Sequence, residues 1–337
     1  MQTVAKVEQA ALAALQKAGI PRNHSEIQTS LLLDAEMRGV PSHGLLRLPR
    51  VVERVLNGVT DPLAKGIHSW RGEAFLEVDG QHGLGPVVAM SALDAASQRL
   101  KSAGSCVVAI RNCDHLGMLA WYAENLARQG KILLGMTISE ALVHPWGGRR
   151  AMIGTNPLTI GVPAEPEPFV FDMATSLVSM GKIHDHANRA APIPAGWALD
   201  AEGLPTTDAE KAKAGSIAPF GGAKGYGLGL AFEVLVAALT GSSLGTAVCG
   251  TLDSTHPCNK GDLFIVMEPA SGMTSVISDY LNALRDTPPT DPENPVRVPG
   301  DRSVKSRIFA EKEGLNIAPE VWERIQHLAQ TDRMPAN

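Results

Sequence analysis

The stretch Cys106-Val107-Val108-Ala109-Ile110-Arg111-Asn112-Cys113-Asp114-His115 decides the fold class. Its first five residues are apolar without alternation, which reads as a strand buried on both faces. The polar residues after Ile110 read as the loop that this strand feeds. Further on, 117–129 has helical character and Lys131 to Ile138 is the next strand. A strand, a polar loop, a helix and a strand in that order predict an α/β sheet domain, whose ligands favour the loops at strand ends. Asp114 and His115 stand in such a loop, a place that suits a ligand-facing pair and an ordinary surface pair about equally.

Working outward, Ala74 to Val78 reads as a strand, Asp79-Gly80 as a turn, and 83–103 as a helix running past Pro86. The first 60 residues are mainly helical. Val4, Val7, Ala11, Leu12, Leu15 and Ala18 fall at helical spacing before a stop at Gly19, a second helix is expected over 25–38, and a third over 51–57 closed by Gly58. Residues 139–182 carry turn chemistry and short strands. Leu228 to Leu239 is apolar on nearly every side apart from Glu233, which predicts a helix buried in the centre of the domain. A proline-rich loop at 287–292 precedes helices expected near 302–313 and 318–329.

With 337 residues, 44% hydrophobic and 19% charged, the chain is long enough for about two domains and a sizeable core. A net charge of -5 gives no global attraction to nucleic acid or to an anionic membrane, so any anion must be bound locally. Cys106, Cys113, Cys249 and Cys258 lack CxxC spacing, so neither a zinc cluster nor a disulfide framework is indicated, and a reducing, cytoplasmic compartment is expected. No basic, apolar leader and no run of about 18 apolar residues is read, so neither export nor membrane insertion is expected.

The chemistry is expected from Pro41-Ser42-His43-Gly44-Leu45-Leu46-Arg47. On a helical turn His43 and Arg47 would share a face, pairing a group that moves protons near neutrality with a guanidinium that grips a carboxylate through two parallel hydrogen bonds. Ser42 would cap the turn or hold the imidazole tautomer, and Gly44 lets a ligand approach the backbone. The glycines of Lys224-Gly225-Tyr226-Gly227-Leu228-Gly229 are a poor dinucleotide fingerprint, because the segment before them, with Pro219 inside, is loop-like where a strand is required. Lys224 itself suits a phosphate or a ribose, or a solvated helix cap. His184 and His186 flank Asp185 and would share a face on an extended segment, yet no third ligand has diagnostic spacing, so a solvated loop and no metal site are expected. His24, His68, His82, His144, His256 and His327 are read as ordinary structural histidines, and no GxSxG elbow occurs.

Taken together, several stretches resemble the type-2 malate/L-lactate dehydrogenase family, whose members include sulfolactate and ureidoglycolate dehydrogenases, diketogulonate reductase and the cyclic ketimine reductases. They are Arg38 to Gly44 with Arg47, Asn112 to Gly117, Pro145 to Gly148, Gly154 to Pro157, Phe171 to Ser176, Gly181-Lys182, Leu204 to Asp208, Lys224 to Gly227 and Pro299-Gly300. They run in order over nearly the whole chain. The resemblance implies an NAD(P)-dependent enzyme that interconverts a small 2-hydroxy acid and its 2-keto acid. It also implies a non-Rossmann, mixed-sheet α/β cofactor-binding domain over 71–296 and a helical domain built from 1–70 and 297–337. A homodimer acting on a small carboxylate, with no nucleic-acid or membrane partner, is the expected assembly.

By that likeness His43 corresponds to the proton donor or acceptor with Ser42 as its partner, and His115 to a second acid/base that also borders the cofactor. Arg47 and Thr155 correspond to substrate contacts. Gly117, Ser139, Asp172, Met173, Ala174, Lys224, Gly300, Asp301 and Arg302 correspond to cofactor contacts, with NAD or NADP left open. Similar ketimine reductases carry an aspartate where this chain has Lys182, which favours the hydroxy-acid branch and leaves reduction of a cyclic ketimine carboxylate, such as piperideine-2-carboxylate, as the alternative.

Overall fold

The computed structural model describes residues 1–330, so 331–337 of the expected terminal domain lie outside the described residues. Three helices come first: α1 (Val4–Lys17), α2 (Arg22–Met37) and α3 (Leu48–Leu56). Thr3 accepts from the Lys6 backbone to start α1, whose Val7, Ala11, Ala14 and Leu15 form one buried stripe. The sheet strands and their helices follow as β1 (Ile67–Trp70), β2 (Phe75–Gly83), α4 (Gly85–Ala103), β3 (Ser105–Cys113), α5 (Leu119–Arg128), β4 (Ile132–Thr137), β5 (Leu158–Val162) and β6 (Phe169–Met173). A smaller unit comprises α6 (Met180–Asn188), β7 (Ala198–Leu199), β8 (Pro205–Thr206), α7 (Ala209–Lys213) and β9 (Ser216–Ile217). The chain then forms α8 (Ala223–Thr240), β10 (Gly261–Met267), α9 (Met273–Arg285), α10 (Asp301–Glu313) and α11 (Pro319–Gln330).

Seven strands make one mixed sheet in the order β1-β2-β3-β10-β4-β5-β6, and β8-β7-β9 make a second, small one. Only β2 and β3 of the large sheet run parallel, joined over α4; the other pairs are antiparallel. That pattern is not the parallel sheet of a Rossmann domain. Cys106, Val108 and Ile110 of β3 face the largest core, which continues without a break through α4 and α5 to the first helices and α11. Ala109 and Val107 face the other way, toward Val236 and Phe232 of α8. The two-sided burial inferred for this strand is therefore real. At both chain ends α1 packs along α11, and a backbone bridge between Gln2 and Leu315 fastens them.

Several expectations need correction. Strand β3 continues through Arg111 to Cys113, because those residues keep pairing with β2 and β10. Asp79-Gly80 is not a turn: β2 passes through a bulge in which Gln81 and His82 take left-handed φ values of 51° and 57°. Gly80 is needed there, since a Cβ would lie 2.7 Å from the Asn112 carbonyl oxygen. Strand β10, the centre of the sheet, was not foreseen at all. His184 and His186 lie on helix α6, where alternate residues do not share a face, and His186 Nδ1 contacts the Pro192 carbonyl oxygen at 2.8 Å.

Helix α8 departs most from expectation. It buries Gly225, Gly229, Glu233, Val236, Ala237 and Thr240 on one face, while Leu228, Leu230, Val234 and Leu235 stand exposed on another. An apolar circumference reports what a helix can touch, and here one side meets the sheet while the other is left exposed among the described residues. Contrary to the reading that no apolar run of such length occurs, α8 is by length and composition able to cross a membrane. Its buried Glu233 and its packing on β10 make it a layer of this fold.

Candidate active site

The site begins where α2 ends. Two single 3-10 turns, Pro41–His43 and Leu45–Arg47, replace the helical turn anticipated for this motif, with an extended Gly44 between them. Glu36 forces the break: its Oε2 accepts from the Leu45 backbone N–H at 3.0 Å, and a Cβ on Gly44 would sit 2.3 Å from that oxygen. Ser42 caps no helix. Its hydroxyl lies 3.1 Å from His43 Nδ1, and its carbonyl oxygen accepts from Arg47 Nε at 2.8 Å. Serine, histidine and arginine are thus locked into one unit.

A second unit arrives from the end of β3, 72 residues later. Asp114 is buried and accepts from Arg54 Nη2 at 2.7 Å and from Thr60 Oγ1 at 2.5 Å, so it anchors the loop on α3. Gly85 and Gly117 let the chain close around His115. A Cβ on Gly85 would lie 2.3 Å from the His115 carbonyl oxygen, and one on Gly117 would lie 2.3 Å from Leu31 Cδ2. Gly117 N–H donates to His115 Nδ1 at 3.1 Å, which places the proton of the neutral ring on Nε2. The result is a stack of the His43 and His115 rings, with centroids 5.6 Å apart and planes 25° from parallel.

Electrostatics keep both rings neutral. Burial, and then the Arg47 charge, lowers His43 to about 4. Burial drives His115 well below the usual imidazole value, helped by Arg47, His43, Lys260 and Arg50. Lys260 forms a buried ion pair with Asp262 on β10. Arg47 itself is pulled down to about 10, first by burial and then by Arg50. Arg47, Arg50, Val51 and Arg54 lie one turn apart along α3 and its lead-in, and with the two imidazoles they border a cleft of about 480 Å³.

The remaining expected residues form two further groups. Ser139 and Thr155 meet through their hydroxyls at 3.2 Å, and the Thr155 backbone N–H donates to Ser139 Oγ at 3.0 Å. Buried Asn156, at φ 35°, and Gly154 both donate to Glu233 Oε2 on α8, at 2.7 and 3.1 Å. Asp172 and Met173 end β6, with Ala174 next in the chain. Asp172 accepts from the Ala120 backbone N–H at 2.8 Å, and the protein packed around its solvent-reaching carboxyl pushes it up to about 6. Gly300, at φ 99°, passes the backbone of Val170 on the same strand, and Asp301 is held by Arg285 Nη2 at 2.9 Å. Thr175 joins the two groups by donating its backbone N–H to the Thr155 carbonyl oxygen at 2.7 Å.

His43, Ser42, Arg47, His115 and Gly117 are therefore brought together in one place. Ser139 and Thr155 form a second patch, and Asp172 to Ala174 follow on from Val170, whose backbone Gly300 passes. Lys224 and Arg302 are exposed in the first turns of α8 and α10, and their side chains make no hydrogen bond or ion pair among the described residues. Sequence reasoning missed Arg50, Arg54, Glu233 and the Lys260–Asp262 pair. The spacing of Arg47, Arg50 and Arg54 was a readable signal, obscured because the helix was placed from residue 51 when it starts at Leu48.

Comparison with known proteins fits this picture. Residues 3–326 match the family described as malate/L-lactate dehydrogenase. The L-sulfolactate dehydrogenase of Methanocaldococcus jannaschii is 33% identical, over 93% of this chain and 92% of its own. The (2R)-3-sulfolactate dehydrogenase (NADP(+)) of Chromohalobacter salexigens is 34% identical over 90% of both chains. The ureidoglycolate dehydrogenase (NAD(+)) of Escherichia coli K12 is 32% identical, over 92% of this chain and 90% of its own. Among solved structures, a dehydrogenase from Sinorhizobium meliloti superposes with a TM-score of 0.94 at 50% identity over 97% of both chains. The delta1-piperideine-2-carboxylate reductase of Pseudomonas syringae gives 0.87 at 28% identity, over 97% of this chain and 100% of its own.

Proposed function

The chain belongs to the malate/L-lactate dehydrogenase family of NAD(P)-dependent enzymes, and from that premise we propose that it interconverts a small 2-hydroxy acid and its 2-keto acid. The observation that carries this reading is the stack of two neutral imidazoles beside Arg47 in one cleft. Oxidising an alcohol next to a carboxylate needs a base for the hydroxyl proton, a donor for the oxygen that becomes a carbonyl, and a cation on the acid.

The hydrogen bonds support a division of labour. His115 Nδ1 is taken by Gly117 N–H, so its Nε2–H donates to the substrate oxygen. His43 is tied through Nδ1 to Ser42, which leaves Nε2 to take the hydroxyl proton. Arg47, with Nε used by the Ser42 carbonyl, has its terminal nitrogens left to bind the carboxylate, and we assign Thr155 as a further contact. In the reverse direction His43 returns the proton to the new alcohol oxygen.

The residues assigned to the cofactor fit a nicotinamide dinucleotide chemically. Lys224 and Arg302 are exposed cations suited to phosphate, and Asp172 has one carboxylate oxygen left for a ribose hydroxyl once the other has accepted from Ala120. We propose Ser139, Asp172 to Ala174, Lys224 and Gly300 to Arg302 as the cofactor surface, with His115 and Gly117 at its inner end and 71–296 as the domain that houses it. The bound cofactor supplies the site for hydride exchange. Two of the relatives named above carry NADP(+) or NAD(+) in their descriptions, and this reading accepts either.

The ketimine alternative draws on the Pseudomonas syringae likeness, but the local charge weighs against it. A Cβ on Gly181 would lie 3.5 Å from Ser42 Cβ, so Lys182 enters the chain beside the Ser42/His43 unit. The guanidiniums of Arg47 and Arg50 bordering the cleft make a poor setting for a protonated imine. We also propose a homodimer formed through the exposed apolar face of α8. The four cysteines are free thiols, which suits a cytoplasmic location. The direct test is turnover, followed by nicotinamide absorbance, of malate, lactate, sulfolactate and ureidoglycolate with each cofactor, and of their keto acids and piperideine-2-carboxylate in reverse. Cofactor binding with no turnover of any compound rejects the reading in favour of a catalytically silent binding protein.

A further inference from the structure

Arg54, 4% exposed, uses all three nitrogens of its guanidinium. Nε and Nη2 donate to the carboxylate of Asp114, the residue before His115, at 3.1 and 2.7 Å. Nη1 donates to the Asp253 and His256 carbonyl oxygens at 2.9 and 3.1 Å. Those carbonyls belong to a strap, 249–258, whose Gly250 and Thr251 border the same cleft as Arg47 and His115. The strap is fastened at its base, where Cys249 N–H donates to Asn259 Oδ1 at 2.8 Å. Glu140 holds it from a second side, accepting from the Thr251 hydroxyl at 2.9 Å and from the backbone N–H groups of Thr251 and Leu252 at 2.7 and 2.8 Å. Glu140 follows Ser139, a residue of the proposed cofactor surface. One guanidinium therefore ties the loop that carries His115 to a strap that is also tied beside Ser139.

We infer that Arg54 is a positioning residue for His115: it grips the β3 loop through Asp114 and the strap through two carbonyls, so that the donor imidazole and one wall of the cleft are set as a single piece. This inference rests on the dehydrogenase reading and adds to it a residue that acts through its neighbours. A buried ion pair is a weak source of net stability, because desolvating both charges offsets their attraction, whereas a guanidinium fork on a carboxylate fixes geometry. Arg47 is fixed separately, from the Ser42 carbonyl oxygen, so a small shift of the β3 loop leaves the grip on the substrate carboxylate in place. It misdirects the His115 Nε2–H, whose bond to the substrate oxygen strengthens as that oxygen gains charge during reduction of the keto acid. The loss then falls on kcat and spares KM. Lysine at 54 keeps the charge and meets Asp114, but a single point donor lets the strap carbonyls go.

The experiment measures keto-acid reduction by the wild type, Arg54→Met and Arg54→Lys, with the keto acid that the wild type turns over fastest. Rates are referred to the concentration of cofactor-binding sites, so protein that has not folded drops out. The expected fall in kcat is about 30-fold or more in Arg54→Met and about 10-fold in Arg54→Lys, with KM changed less than about 3-fold in both. Asp114→Asn removes the charge, leaves an oxygen for Arg54 and must show the same split, which covers the case in which neither Arg54 variant folds. Unchanged kcat per site, or losses carried by KM, overturns the inference and leaves the dehydrogenase reading intact. Glu140→Ala frees the strap at its other anchor and must also lower kcat, yet added to Arg54→Lys it must slow the enzyme by less than about 2-fold more; losses that multiply overturn the strap's part. Should the wild type reduce no keto acid, the dehydrogenase reading fails, and 1H–15N spectra of histidine-labelled protein still decide the positioning. The His115 ring, an Nε2–H tautomer in the wild type, must shift or broaden in Arg54→Lys, and unchanged ring signals reject it.

Discussion

Replacing Glu233 with glutamine tests whether the loop carrying Thr155 is held from the opposite side of the sheet. Glu233 is 2% exposed, and its carboxylate accepts from Gly154 N–H at 3.1 Å, Asn156 Nδ2 at 2.7 Å and Gly245 N–H at 2.6 Å. Oε2 takes the first two and Oε1 the third. Glutamine has the same shape but only one acceptor oxygen. Its best orientation keeps that oxygen on Gly154 and Asn156 and turns its amide N–H groups toward the Gly245 N–H. One charge-assisted bond is lost and two buried donors face each other, which costs about 2–4 kcal/mol. Alanine would strand all three donors and cost on the order of 5 kcal/mol, close to the whole stability of many domains, so glutamine is the more informative change. Urea denaturation measures the stability. The loop's displacement should also raise KM for the 2-hydroxy acid by about 10-fold, because Thr155 loses its seat against Ser139. A variant within about 0.5 kcal/mol of the wild type and with unchanged KM would falsify this account of the loop.

Glu124 accepts from Arg38, Arg307 and Arg128, which overcome the effect of burial and hold its carboxyl down at about 2. A depressed carboxylate stabilises the fold fully above its unfolded value near 4.5 and loses that contribution as pH falls through about 2. Wild-type stability should thus drop by about 3 kcal/mol over this window, and Glu124→Gln should show a flatter acid limb; parallel limbs refute the assignment. With His43 lowered to about 4, kcat/KM for alcohol oxidation should stay level through the ordinary histidine range and decline only as pH approaches about 4, so an inflection near 6.5 counts against His43 as the base. Leu235→Glu on the exposed face of α8 should convert a dimer to monomer in sedimentation equilibrium without loss of helix content; a wild-type monomer, or a variant that stays dimeric, removes α8 from the interface.

The fold could be read from the sequence where the decisive contacts are local in pattern. The apolar run at Cys106 to Ile110 announced its burial because both faces carry the same kind of residue, and it sits against α4 on one side and α8 on the other. Strand β10 pairs with partners far away in the chain, at Ser105 to Arg111 and Ile132 to Thr137, and it begins with a glycine and an aspartate that look like loop. Nothing short-range reveals that Asp262 is buried, or that Thr137 on β4 joins Lys260 in donating to its Oδ1. The bulge in β2 escaped notice for a similar reason, since Gly80 answers to the backbone at Asn112 and not to its own neighbours. In the candidate site His43 and His115 were each visible as residues of interest, but their stacking was not. It depends on two glycines, at 85 and 117, whose missing side chains admit a carbonyl and a leucine.

The charge pattern also bears on how a histidine held near 4 would serve as the proposed base for an alcohol. Two imidazoles and the guanidiniums of Arg47 and Arg50 border one cleft, so burial and then charge disfavour a proton on either ring. The substrate carries the missing negative charge. A carboxylate on Arg47 would cancel the smaller, charge-driven part of the His43 depression and raise the imidazole to that extent, while the larger part, due to burial, would stay. The ring becomes a stronger base when there is an alcohol to deprotonate, and it is a weak one when only water is present. The pKa seen in kcat, which reports the loaded enzyme, must then lie above the one seen in kcat/KM, and the gap measures the coupling between Arg47 and His43. His115 cannot take the same part while Gly117 occupies its Nδ1, since accepting a proton there would break that backbone bond. The asymmetry of the pair is therefore built into the β3 loop, and under the proposed mechanism His43 carries the proton traffic while His115 steadies the oxygen.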